Sequence, residues 1–150
     1  MSSILNTYAR KKISFKKGKG CYLYADDGKK YLDFVQGIAV NSLGHCHSHL
    51  IKTINKQSKK LWHVSNAFTI LEQEKLAQRL CKHTFADAVA FQNSGTEATE
   101  LAIKLARKYF YSQGKKNKNK VITFQGAFHG RTLAALFAAN NPKHIEGVGP

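Results

Sequence analysis

The chain has 150 residues, 43% of them apolar, a length and composition that suit one globular domain with a sizeable core and argue against disorder. Twenty-four basic residues against nine acidic ones give a net charge of +15, but the lysines are scattered and no RNA-recognition, zinc-finger or heptad spacing accompanies them, so no nucleic-acid partner is expected. No apolar run reaches the ~18 residues of a membrane span, no signal-peptide core precedes Lys19, and the three cysteines lack a C-x-x-C, so a cytoplasmic protein with reduced thiols and no membrane partner is expected.

The first ~20 residues read as a basic arm with little structure of its own. Residues 21–25 and 30–34 are rich in aromatics and flank Asp26-Asp27-Gly28-Lys29, which predicts a β-hairpin. Residues 37–49 read as loop. A helix is predicted over about 48–62, with Leu50, Ile51, Ile54, Leu61 and Trp62 near one face. A second helix is predicted from Thr69, where Thr69-Ile70-Leu71-Glu72 fits a capping box. The chain then alternates. Residues 88–92 predict a short strand and 96–112 a helix burying Ala98, Leu101, Ala102, Leu105, Ala106 and Tyr109, with Gly114 to end it. Residues 120–124 predict the next strand and 132–139 an alanine-rich helix. This order implies parallel pairing in an α/β sheet. Two strands are too few for such a sheet, so further material is expected.

Two motifs carry chemistry. Asn93-Ser94-Gly95-Thr96-Glu97-Ala98 lies where a strand meets a helix, the place where open α/β sheets bind ligands. A helix start offers unpaired amides and partial positive charge to an anion. Gly95 permits close approach, and Ser94 and Thr96 add hydroxyls. The other reading of these residues is a plain turn capped by Ser94 or Thr96. The G-K-[ST] ending of a P-loop is absent, as is G-x-S-x-G. In Gly126-Ala127-Phe128-His129-Gly130-Arg131-Thr132, Phe128 can stack on a flat ring and Arg131 can pair with a carboxylate. Phe128 as core and Arg131 as an exposed cap is the alternative. His45-Cys46-His47-Ser48-His49 is too tightly spaced for a usual zinc site and lacks a second ligand pair; a loop packed near a site is the better reading, and no metal is assigned.

These residues together resemble the N-terminal portion of class III, fold-type I, pyridoxal-phosphate aminotransferases, most of all the acetylornithine aminotransferase branch. The likeness runs through Tyr31-Leu32-Asp33-Phe34, Gly37-Ile38-Ala39-Val40-Asn41, Gly44-His45-Cys46-His47, Leu61-Trp62-His63-Val64-Ser65-Asn66, the two motifs above, and residues 102–108 between them. It implies an α/β fold with a small N-terminal segment and hairpin over 1–66, followed by the opening of a large, mainly parallel cofactor domain over 67–150, truncated. It further implies that Gly95 and Thr96 hold the phosphate of pyridoxal phosphate, largely through backbone amides, that Phe128 stacks on the pyridine ring, and that Arg131 binds the substrate α-carboxylate. Amino-acid and 2-oxo-acid substrates are implied, as is a homodimer for the complete enzyme. The implied reaction moves an amino group from N-acetylornithine to 2-oxoglutarate in arginine biosynthesis. Ornithine, succinylornithine or 4-aminobutyrate as donor stay open, and so does a non-catalytic remnant. Ser48 stands where the family usually has proline.

The family's Schiff-base lysine and the aspartate facing its pyridine nitrogen belong to a region C-terminal to this stretch, so no catalytic residue is assigned and the chain alone is expected to be inert. Lys104 does not substitute, because it lies about nine residues, or roughly 13 Å, along the helix from Gly95.

Overall fold

The hairpin forms where the Asp-Gly turn predicts it. In the computed structural model, which describes residues 3–148, β2 (Tyr22–Ala25) pairs antiparallel with β3 (Lys30–Leu32), with Leu23 opposite Tyr31. The turn closes through Gly28, whose φ of +85° suits glycine, and through Asp27, whose carboxylate accepts from the Lys29 amide at 3.0 Å. The expected unstructured arm ends earlier than predicted. Its last residues form β1 (Phe15–Lys19), antiparallel to β2, in the sheet order β1-β2-β3. The Phe15 ring meets Tyr31 edge-on, with centroids 5.6 Å apart, and lysines decorate an edge strand, a position that tolerates charge.

The loop after β3 is pinned to this sheet. His45 and Gly20 exchange backbone hydrogen bonds of 2.8 and 2.9 Å. Gly18 has no side chain because none fits there: a Cβ would sit 2.6 Å from the His45 ring. Between these anchors lies the four-residue α1 (Gln36–Ala39), a turn in which all four residues take positive φ. Helix α2 (Ser48–Gln57) starts where predicted but stops short of Leu61 and Trp62. Its apolar face is half-exposed, with Leu50 at 45% and Ile54 at 65%.

A second unit begins at Leu71. Helix α3 (Leu71–His83) opens two residues later than the predicted capping box, and Thr69 makes no hydrogen bond to Glu72 among the described residues. Helix α4 (Gly95–Ser112) matches its predicted span closely. It ends in a Schellman turn: Gly114, at φ +75°, donates to the Tyr111 carbonyl, and Lys115 donates to Phe110. Helix α5 (Leu133–Ala139) follows, and then the short α6 (Pro142–Ile145), capped by the Asn141 side chain on the Lys143 amide and not anticipated from sequence.

The predicted strands 88–92 and 120–124 are not paired into a sheet. Among the described residues, no backbone group of 88–92 or 120–123 bonds to another backbone group. A parallel strand needs a neighbour from a distant part of a chain, and these two do not pair with each other. The predicted buried face of α4 is uncovered for the same reason: Leu105 is 55% and Tyr109 59% exposed. The face that is covered holds Thr96 and Glu100, which meet the loop before α5. Buried apolar residues are few and small, namely Ala25, Ala135 and Ala139 among the described residues. No helix among these residues is long and apolar enough to cross a membrane.

Candidate functional site

The site lies in the second unit, at the N-terminus of α4. Ser94 adopts extended backbone and caps the helix, its hydroxyl oxygen accepting from the Glu97 amide at 3.2 Å. Glu97 turns back over the same end. Its carboxylate accepts from the Ser94 hydroxyl at 3.1 Å and from the Asn93 side-chain amide at 3.3 Å. These two side-chain hydrogen bonds, from Asn93 first and Ser94 second, hold the Glu97 carboxyl below the usual carboxylate range. Sequence reasoning missed this role of Glu97, although the signal was present: Ser94-Gly95-Thr96-Glu97 has the S-x-x-E spacing of a capping box.

With Glu97 engaged at the third helical amide, the first two remain. The amides of Gly95 and Thr96 have no acceptor among the described residues, and the space beside Gly95 is open, with nothing beyond its chain neighbours and its own helix backbone within 4 Å of where a Cβ would stand. Two free amides at the positive end of an 18-residue helix suit the oxygens of a phosphate. Of the two hydroxyls, that of Ser94 is spent on Glu97, while that of Thr96 acts as an acceptor and keeps its own O–H to donate. Ser94 donates to Glu97, and the Thr96 hydroxyl oxygen accepts from the Arg131 amide at 3.4 Å.

That last contact joins the two motifs. Gly130 packs against Thr96 so closely that a Cβ on Gly130 would fall 2.7 Å from the Thr96 Cβ, and its φ of +125° is one that side-chain-bearing residues rarely adopt. One turn further along α4, Glu100 accepts a hydrogen bond from the Thr132 hydroxyl. At its other end the loop is held by the Gly126 amide donating to the carbonyl of Ala139, the last residue of α5. Residues 126–132 are therefore fastened at both ends, and Arg131 is delivered beside Thr96. Phe128 lies between the anchors, 73% exposed as a residue and in contact with no other aromatic ring among the described residues. The neighbouring His129 carries a buried Nε2 with no hydrogen-bond partner among the described residues. Thr96 and Arg131 are thus brought together, and Phe128 is presented on the same loop without being packed.

The histidine-rich loop belongs to the first unit and has another task. His45 Nε2 lies 2.7 Å from Asp33 Oδ2, while Asp33 Oδ1 accepts from the Val35 and Gln36 amides. The Gln36 amide, ahead of the His45 ring, draws the Asp33 carboxyl below its ordinary range. No three His, Cys, Asp or Glu side chains cluster as a metal site would require among the described residues. The tight His-Cys-His spacing thus marks a loop clasped to a sheet.

Comparison with known proteins gives the family. The chain matches the aminotransferase class-III family over residues 5–150. It is 53% identical over 147 residues to an acetylornithine aminotransferase of Agrobacterium fabrum, covering 98% of this chain and 37% of that protein. Over 82% of its length it superposes on the crystal structure of N-acetylornithine aminotransferase from Stenotrophomonas maltophilia, with a TM-score of 0.74 and 39% identity, covering 34% of that structure. An (S)-enantioselective omega-transaminase from Thermomicrobium roseum gives a TM-score of 0.86 at 30% identity, over 92% of this chain and 32% of that one. The chain spans about a third of the length of the relatives it matches and corresponds to their N-terminal portion. It is a member of the class-III aminotransferases.

Proposed function

We propose that this chain forms the phosphate grip, ring platform and carboxylate clamp of a pyridoxal-phosphate-dependent acetylornithine aminotransferase. The observation that carries the reading is the contact of Gly130 and Arg131 with Thr96, in a chain 53% identical to such an enzyme. Pyridoxal phosphate, when bound, supplies an electrophilic carbonyl and an electron sink for amino-group transfer. Within this chain, the Gly95 and Thr96 amides would hold its phosphate. Phe128, solvent-exposed on a loop fastened at both ends, would lie against its ring. The Arg131 guanidinium would pair with the α-carboxylate of the amino donor and of the 2-oxo acid, a bidentate geometry that lysine does not reproduce. Glu97 keeps the helix start rigid and leaves the first two amides to the anion.

The covalent step needs a lysine nucleophile, which is not assigned to any residue of this chain. The whole reading concerns a protein of full family length: a cytoplasmic homodimer moving an amino group from N-acetylornithine to 2-oxoglutarate in arginine biosynthesis. The test is a fusion of this chain to the part of the Agrobacterium fabrum relative that lies beyond the matched region. N-acetylornithine-dependent turnover is expected, and Arg131→Lys should raise KM for both substrates by about tenfold with a smaller change in kcat. Phe128→Ala should weaken pyridoxal phosphate retention about tenfold. Unchanged substrate KM in Arg131→Lys would refute the clamp, and a fusion that prefers 4-aminobutyrate would refute the assigned donor.

A further inference from the structure

Basic residues that look scattered in sequence are gathered by the fold at one end of α4. The 126–132 loop meets this helix at Thr96 and Glu100. Farther along, Lys104, Arg107, Lys108 and Tyr111 follow at the spacings that share one helix face. The chain then turns back beside them. The Lys115 amide donates to the Phe110 carbonyl at 2.9 Å, and the Lys118 amide donates to the Lys115 carbonyl at 3.0 Å. This turn sets Lys116 and Asn119 against the helix, and together with the four helical residues they line an open groove of about 500 Å³. The Nζ atoms of Lys108 and Lys116 lie 5.5 and 5.6 Å from the centroid of the Tyr111 ring. A cation from the helix and a cation from the turn thus converge on one aromatic side chain.

The ordinary structural uses of such cations do not apply. The last turn of α4 holds no basic residue, so they are not placed to meet the negative end of the helix. None of Lys104, Arg107, Lys108 and Lys116 is ion-paired with a carboxylate among the described residues. Lys104 neighbours Arg107 and Lys108 three and four residues on, where like charges repel. A multivalent anion in the groove would turn that repulsion into attraction, and lysine and arginine are the residues that take phosphate oxygens. We propose that this groove binds an oligophosphate, a chain of linked phosphates either free or carried by a nucleotide. Its volume falls within the roughly 300–1,000 Å³ of small-molecule sites. The groove is confined to one helix and the turn that follows it, and no RNA-recognition spacing accompanies it, which favours a small anion over a nucleic-acid strand. Lys104 stands roughly 13 Å along the helix from Gly95, so the groove is separate from the phosphate grip and independent of the proposed function.

The test titrates inorganic triphosphate into the intact 150-residue chain and follows backbone amide chemical shifts. Salt is held at about 0.15 M, where exposed charges more than about 8 Å apart are largely screened. Saturable shifts are expected over 104–119, and helical shifts over 95–112 in the same spectra check that α4 is formed. Triphosphate should bind about tenfold more tightly than monophosphate. Lys104→Gln combined with Lys108→Gln should weaken binding about tenfold. Lys52→Gln combined with Lys56→Gln removes the same charge at the same spacing on α2 and should change it less than about twofold. All four lysines are exposed, so neither pair should disturb the fold. ATP binding more tightly than triphosphate, with the Tyr111 ring resonances shifted, would support a nucleotide as carrier; equal binding would support the free chain. The fusion to the remainder of the Agrobacterium fabrum enzyme, saturated with pyridoxal phosphate so that the phosphate grip is filled, should give the same contrast between the two double variants by calorimetry. No saturable binding, equal loss in both double variants, shifts confined to Gly95 and Thr96, or a preference for single-stranded RNA over triphosphate would each overturn the proposal.

Discussion

The two units solve the same problem unequally. The first builds its sheet from three consecutive segments joined by short connections, so every strand finds its neighbour within a few residues. The second holds two strand-like runs about thirty residues apart with a helix between them, and neither pairs among the described residues. Antiparallel hairpins close locally, whereas parallel sheets need distant partners and bear the loop-closure cost before any contact forms. Yet the second unit carries the candidate site. Helix capping, a Schellman turn and a glycine contact are enough to shape that site without the sheet beneath it.

The contrast predicts amide exchange slower in β1–β3 than in 88–92 and 120–124; equal protection would break it. The largest single effect is expected at Gly130. Gly130→Val meets Thr96 and forbids φ +125°, costing about 1–3 kcal/mol of the loop's local stability. Exchange of amides 126–132 should rise roughly 5- to 150-fold while the hairpin is untouched. No change there would mean that the loop does not depend on Thr96.

Asp33→Ala comes next and acts on the first unit. It removes the His45 partner and the acceptor for two amides. Because the folded pKa of Asp33 lies below its unfolded value, its contribution is complete above about pH 4–5 and is lost as pH falls through the folded value. The hairpin and the 44–46 loop should therefore loosen in acid, and Asp33→Asn should lose most of that acid dependence while retaining an acceptor for the amides. Acid melting that is identical in Asp33→Asn would exclude the clasp as its source.

Ser94→Ala should cost the start of α4 about 1 kcal/mol, seen as fraying of residues 95–99 by chemical shift. The smallest effect is that of Glu97→Gln. It keeps the side-chain shape and one of the two accepting oxygens, and removes the charge that competes with an anion at the helix start. Phosphate affinity measured in the active fusion should stay equal or rise; a marked fall would mean that Glu97 orders the phosphate amides and does more than cap them.

Much of the site was legible in sequence because it is local. Asn93 to Ala98 encodes a helix start and its open amides within six residues, and glycines 126 and 130 mark a tight loop. The fates of the Ser94 and Thr96 hydroxyls were not legible. Each chose a partner inside the protein, and only Ser94's partner lay at a readable spacing. Phe15–Lys19 was missed because its basic, glycine-containing run has low strand propensity, and pairing with β2 overrides that preference. The histidine cluster reads in sequence as a loop with no metal assigned, but its partner was not legible, because Asp33 lies twelve residues before His45.

The sequence by itself determined the hairpin turn at Asp27-Gly28, the span of α4 and its Gly114 end, and the family, since each depends on residues adjacent in the chain or on a pattern spread along all of it. Tertiary structure alone decided that Gly130 and Arg131 meet Thr96, that the polar face of α4 is covered while its apolar face is bare, and that strands 88–92 and 120–124 stay unpaired. Propensity specifies what a segment can become, but pairing and burial require a second surface, and for the second unit that surface is not supplied by these residues.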